Sequence, residues 1–160
     1  MSTNYINKCR KYGYSVEARL LPLLRKAFGD TLAKSEGRYT FYDFINDDFM
    51  IELKGRKCNY KTYDTTMISK SKIDKMLKCD KEPVLVFSFQ DGNYYTFVDE
   101  CLITKWAISE YRGVLYYYIP INYLINLEHL LNNQEATKDQ KTVEISDISP
   151  FALAGTVDIN

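Results

Sequence analysis

The sequence predicts a mixed α/β domain, and three observations carry that expectation. A segment near the N-terminus repeats its apolar residues at helical spacing. Several short runs of aromatic and branched residues are bounded by turn-forming residues. A lysine-rich segment of helical character separates two groups of those runs, so the order reads helix, strands, helix, strands, helix. At 160 residues the chain can bury one core and little more.

The first helix is expected over residues 15–28, where Val16, Leu20, Leu21, Leu24, Ala27 and Phe28 recur with a period near 3.6. Ser15 suits its N-cap, Gly29 its stop, and Pro22 within it should kink the helix or mark a late start. Tyr39–Ile45 and Phe49–Leu53 read as strands. Asn46-Asp47, both tolerant of left-handed backbone, reads as the two-residue turn of a hairpin between them. Residues 55–66 are polar and basic and read as a loop, followed by a helix over 69–79. Residues 83–89 (PVLVFSF) form a buried strand, with 93–98 as its hairpin partner across Asp91-Gly92. A strand over 114–121 and a helix over 121–131 follow. Residues 1–131 would thus be the domain and 132–160 a loose polar tail, in which FALAG (151–155) either docks or hangs free.

Composition narrows the function. Hydrophobic residues make up 46% and charged residues 26% of the chain, which excludes a disordered or low-complexity protein. No apolar run is long enough to span a membrane, and the first fifteen residues lack the apolar core of a secretion signal. The expectation is an intracellular, cytoplasmic protein, or one working inside a host cell if the source is viral. Cys9, Cys58, Cys79 and Cys101 are scattered without a CxxC pair, so neither a zinc knuckle nor a disulfide framework is indicated. The lone histidine, His129, excludes His-rich metal sites and reads as a helix-surface or core-edge residue. No glycine-rich phosphate loop is present, which argues against a nucleotide cofactor.

Net charge is zero, but it is unevenly placed. Residues 1–81 carry seventeen basic and ten acidic side chains, whereas residues 82–160 carry four and eleven. The first half should therefore build a basic face suited to a polyanion. An equally plain reading is a chance segregation of solvated charges.

The expected hairpin makes a chemical statement. With Asn46-Asp47 as its turn, Asp43 would pair with Met50 and Phe41 with Glu52. Asp43, Met50, Glu52 and Lys54 would share one wet face. Tyr42, Phe44, Phe49, Ile51 and Leu53 would cover the other, dry one. Asp43 and Glu52 become diagonal neighbours about 7–8 Å apart, close enough to share a hard dication such as Mg²⁺. A cation offsets the charge that builds on phosphorus oxygens during phosphodiester hydrolysis, and an ammonium alongside it orients water or holds the phosphate.

At these residues the sequence resembles the PD-(D/E)xK nucleases, the restriction-endonuclease-like superfamily. Tyr42-Asp43 stands where the family has Pro-Asp, and Glu52-Leu53-Lys54 matches the (D/E)xK tripeptide. Asp139-Gln140-Lys141 also fits the tripeptide but has no strand before it. The resemblance implies a restriction-endonuclease-like mixed β-sheet flanked by helices, of the small stand-alone type found in phages and viruses. It implies Asp43, Glu52 and the Leu53 carbonyl as metal ligands, Glu17 as an outer or direct ligand, and Lys54 as the catalytic lysine. It also implies Mg²⁺ as cofactor, with Mn²⁺ as a substitute, and DNA as substrate, cut internally. A homodimer would supply the two sites that a double-strand break requires.

Nine basic residues lie between 54 and 81. Of these Arg56, Lys57, Lys70 and Lys72 are the expected phosphate contacts. Tyr63-Asp64-Thr65-Thr66 is either a turn or a polar cluster that positions substrate. The many tyrosines fill a sheet or stack bases. The rival to a nuclease is a nucleic-acid-binding or assembly protein that keeps the same fold without turnover. A third reading is an interaction module that holds a basic partner through the acidic second half.

Overall fold

The computed structural model describes residues 3–37 and 40–133. Helix α1 runs Thr3–Phe28, beginning twelve residues before the expected start at Ser15. Ser15 is no cap: its hydroxyl donates to the Tyr12 carbonyl at 2.8 Å inside the helix. Pro22 sits within α1 and withholds one ladder donor. The helix survives because Val16, Leu20, Leu24 and Phe28 bury a continuous stripe, and tertiary burial outweighs a local propensity defect. Gly29 stops the helix as expected. It adopts φ 113°, which a side chain would resist, and its N–H reaches the Arg25 carbonyl at 2.9 Å.

The remaining elements are β1 (Ala33–Lys34), β2 (Phe44–Ile45), β3 (Phe49–Gly55), β4 (Thr65–Ser69) and α2 (Lys70–Met76), then β5 (Glu82–Ser88), β6 (Asn93–Phe97), α3 (Glu100–Ile103), β7 (Ala107–Tyr111), β8 (Val114–Pro120) and β9 (Ile125–Asn126). One sheet has the order β1-β2-β3-β5-β6-β9, and a smaller one the order β4-β8-β7. The protein is thus a mixed α/β fold. Strands β3 and β5 run parallel, joined through β4 and α2, whereas the other described pairs are antiparallel.

The β2–β3 hairpin corrects the expected register. Ile45 faces Met50 and Phe44 faces Ile51, so the turn is centred on Asp47-Asp48 rather than Asn46-Asp47. The Asn46 side chain is the reason: its Oδ1 accepts the N–H groups of Asp48 and Phe49 at 3.1 and 2.7 Å, an Asx-type closure. The shift is even, so the alternation of faces persists from Phe44 through Lys54. Tyr42 departs from it and packs with Phe41 and Ile45 on the opposite side to Phe44. Strand β2 is much shorter than expected, and Tyr39 lies outside the described residues.

A larger correction concerns what covers β3. Ile51 and Leu53 pack with Val84 and Val86 under α1. Met50 on the other face packs with Leu85, Phe87, Ile68, Ile73 and Met76, from β5, β4 and α2. Both faces are therefore dry along most of the strand, as a parallel interior strand requires. The face expected to be wet is covered by α2 and the second sheet.

That second sheet was not foreseen. Thr65-Thr66 ends the expected loop and Ser69 begins the expected helix, yet 65–69 pairs with β8 over five residues. All of β7 is exposed and lacks alternation. The expected helix over 121–131 divides into a 3₁₀ turn, β9 and a helical stretch over 127–133. Residues 134–160, with FALAG, lie outside the described residues. Among those described, no helix is long and apolar enough to cross a membrane, and all four cysteines are free.

Candidate active site

The C-terminal half of β3 brings the predicted triad together. One step beyond the Phe44–Ile51 pair, Asp43 flanks Glu52. Its N–H donates to the Ile51 carbonyl at 2.8 Å, and its Oδ2 accepts the Leu53 N–H at 2.8 Å. A carboxylate thus takes the place of a backbone carbonyl in the ladder. This ends β2 early and locks Asp43 against the EL dipeptide of the motif.

Glu52 has no solvent exposure. Its Oε1 accepts from Lys72 Nζ at 2.5 Å and forms a second ion pair with Lys54. Its Oε2 is buried without a hydrogen-bond partner. Burial pushes the Glu52 carboxyl above its usual range, the nearby Asp43 charge adds to this, and the Lys54 and Lys72 ammonium groups pull the other way. Burial wins that balance. A buried carboxylate with one idle oxygen is costly to keep, and functional sites are where such costs are retained.

Two clefts open beside this pair. The larger, about 650 Å³, is lined by Asp43, Lys54, Lys72, Glu17, Arg10 and Lys34 among others. The smaller, about 360 Å³, is lined by Asp43, Leu53, Lys54, Glu17, Lys57 and Tyr12 among others. Asp43, Lys54 and Glu17 border both. Glu17 is held by Lys34 at 2.7 Å, which places it at the rim.

The four expected phosphate contacts separate. Lys72, in the first turn of α2, belongs to the site itself through Glu52. Lys57 is exposed and lies 4.8 Å from the Tyr12 ring centroid, on the smaller cleft. Lys70 is bound to both oxygens of Asp74 at 2.8 and 2.7 Å and sits over Tyr117. Arg56 turns away, its Nε on the Thr66 hydroxyl at 2.9 Å and its Nη2 on the Met67 carbonyl at 2.5 Å. Arg10, Tyr14 and Lys34 line the larger cleft and were missed. Arg10, Tyr14 and Glu17 follow the i, i+4, i+7 pattern of one helix face, a pattern hidden only by starting the helix at Ser15. His129 is exposed on the last helical stretch, as expected.

The residues that would hold a divalent ion are Asp43, Glu52 and the Leu53 carbonyl; Asp43 lines both clefts and Leu53 the smaller one, whereas Glu52 is fully buried and lines neither. Among the described residues no group of three or more His, Cys, Asp or Glu side chains is clustered for a metal. A full protein cage is therefore absent from that part of the chain. Mg²⁺ does not need one, because it retains several waters and binds through one or two carboxylates plus substrate oxygens. The orphaned Glu52 Oε2 is the feature that fits such an ion.

No protein-family model matches the chain, and a search of curated proteins finds no match to it.

Proposed function

We propose that this protein is a Mg²⁺-dependent nuclease of the restriction-endonuclease-like type that hydrolyses phosphodiester bonds within DNA. The observation that carries the reading is the buried Glu52 carboxylate with one unpartnered oxygen, flanked by Asp43 and by the Lys54 ammonium at the meeting of two polar clefts.

Asp43, Glu52 and the Leu53 carbonyl would hold the ion, with Glu17 behind them at the rim. The ion would supply charge neutralisation at the scissile phosphate and acidify a coordinated water. Lys54 binds a phosphate oxygen or orients the attacking water, and its charge draws the Glu52 carboxyl down against the burial that raises it. Lys72, on the same Glu52 oxygen, draws it down as well. Arg10, Lys34 and Lys57 lead the phosphate backbone into the clefts, a salt-dependent contribution. One observation favours the rival reading: two ammonium groups already neutralise Glu52, as they would in a binding protein that had lost turnover.

Supercoiled plasmid incubated with the protein separates the two. Relaxation or linearisation with Mg²⁺ or Mn²⁺, stopped by EDTA and lost in Asp43→Ala, Glu52→Ala and Lys54→Ala, is the expected result. Plasmid retained but never cut means the binding reading holds. Cutting that persists in all three variants overturns the site.

A further inference from the structure

A separate concavity of about 390 Å³ lies past the end of β3, walled by Tyr60, Tyr63, Phe89, Tyr118, Thr66 and Arg56 among others. Its aromatic wall is rigid. Tyr60 stacks on Tyr94 with ring centroids 3.8 Å apart and planes within 5°, and its hydroxyl donates to the Ile121 carbonyl at 2.5 Å. Phe89 meets Tyr60 edge-on at 5.5 Å. Tyr63 stands at 67% exposure beside this wall, an aromatic ring left in water next to an apolar hollow. Arg56 supplies the charge. With Nε and Nη2 bonded to Thr66 and Met67 its guanidinium is held in one plane, and those two bonds use two of its five N–H donors.

We infer that this concavity receives one unpaired nucleobase of the strand whose phosphate sits at Lys54. Flat aromatic walls with a single fixed cation suit a flat heterocycle bearing a carbonyl oxygen. The volume is at the small end for ligand sites, roughly 300–1,000 Å³, and it admits no base still paired in a duplex. The position fits too. Arg56 follows Lys54 by two residues, about 6.6 Å along an extended chain, a span of about two nucleotides at roughly 3.4 Å each. The placing of the phosphate rests on the nuclease reading, but the test of the pocket does not.

The test is a binding titration by fluorescence anisotropy on the full chain in EDTA, with labelled single-stranded oligothymidylate, an abasic oligomer of equal length and a blunt duplex. The expected result is that oligothymidylate binds more tightly than the abasic oligomer. Tyr63→Ala should weaken oligothymidylate about tenfold, the loss of one stacked base, and leave the duplex unchanged, while Tyr63→Phe retains full affinity. Tyr63 is exposed, so its replacement leaves the fold intact, and an unchanged melting temperature verifies this. Equal binding of oligothymidylate and the abasic oligomer overturns the inference. So does a Tyr63→Ala protein that binds oligothymidylate as well as the parent. Since no metal is present, a lack of plasmid cutting leaves this result standing and counts only against the nuclease reading.

Discussion

The two faces of β3 begin alike and end differently. Under α1 the strand presents Ile51 and Leu53, which pack into the apolar cluster of α1 and β5, Leu53 at the margin of the smaller cleft. Toward α2 it presents Met50, then Glu52, then Lys54, and the covering changes along the way from the Ile73–Met76 cluster to the Lys72 ammonium. The difference lies in the length of the covering helix. Helix α1 has 26 residues and covers most of its face. Helix α2 has seven and begins with lysines at Lys70 and Lys72, so the last turn of strand beneath it meets charge and then solvent. One face of the strand serves stability, whereas the other gives up stability to hold ionised groups at the edge of a cleft.

The sharpest way to break this contrast is to remove the charged groups. Asp43→Ala, Glu52→Ala or Lys54→Ala should each lower plasmid cleavage by about 10³-fold, the scale of losing a group that stabilises transition-state charge. Gel-based rates in Mg²⁺ measure this. On the apolar face, Leu24→Ala should cost about 3 kcal/mol of stability through a cavity in a fully buried site. Urea melts measure that loss, and the cleavage rate of the still-folded protein at low temperature should be unchanged.

Lys72→Ala tests whether α2 belongs to the site. It should slow cleavage about tenfold, as expected for a group acting through Glu52 rather than on the substrate. Its pH profile carries more information than its rate. Lys72 holds the Glu52 carboxyl down against burial, so its loss lets the pKa rise further. Activity that requires ionised Glu52 should then begin at higher pH than in the parent. A profile that does not move means Lys72 only contacts phosphate.

Glu52→Gln reads the cost directly. The folded protein binds the Glu52 proton more tightly than the unfolded chain, because burial raises the pKa from its ordinary value of 4.5. The corresponding stability is fully present below that value and is lost as pH rises through the folded-state pKa. The Gln variant has no such titration. Its melting temperature in EDTA should therefore gain on the parent as pH rises through this window, while cleavage is lost. The smallest effect belongs to the rim: Lys34→Ala, at a half-exposed ion pair with Glu17, should change stability by less than about 1 kcal/mol and weaken plasmid retention mainly at low salt.

The class of fold and the local chemistry of the motif were written in the chain. The strand over 82–88, its hairpin partner, the stop at Gly29 and the alternation that gathers Asp43, Glu52 and Lys54 on one side all follow from short-range rules of propensity, turn chemistry and pleat. The hairpin register did not follow, because the Asn46 side chain joins the backbone bond from Asn46 to Phe49 in closing the turn. The second sheet did not follow either, because β4 opens with Thr65-Thr66 at the end of a polar loop, which hides its buried alternation of Thr66 and Ile68, and β7 is wholly exposed. Above all, local pattern could describe the charged face of β3 but not what lies on it. The burial of Glu52 and its pairing with Lys72, twenty residues away, arise only when the crossover from β3 to β5 lays α2 over the sheet. That packing, and not the motif, turns an ordinary carboxylate into one with an idle oxygen and a raised pKa.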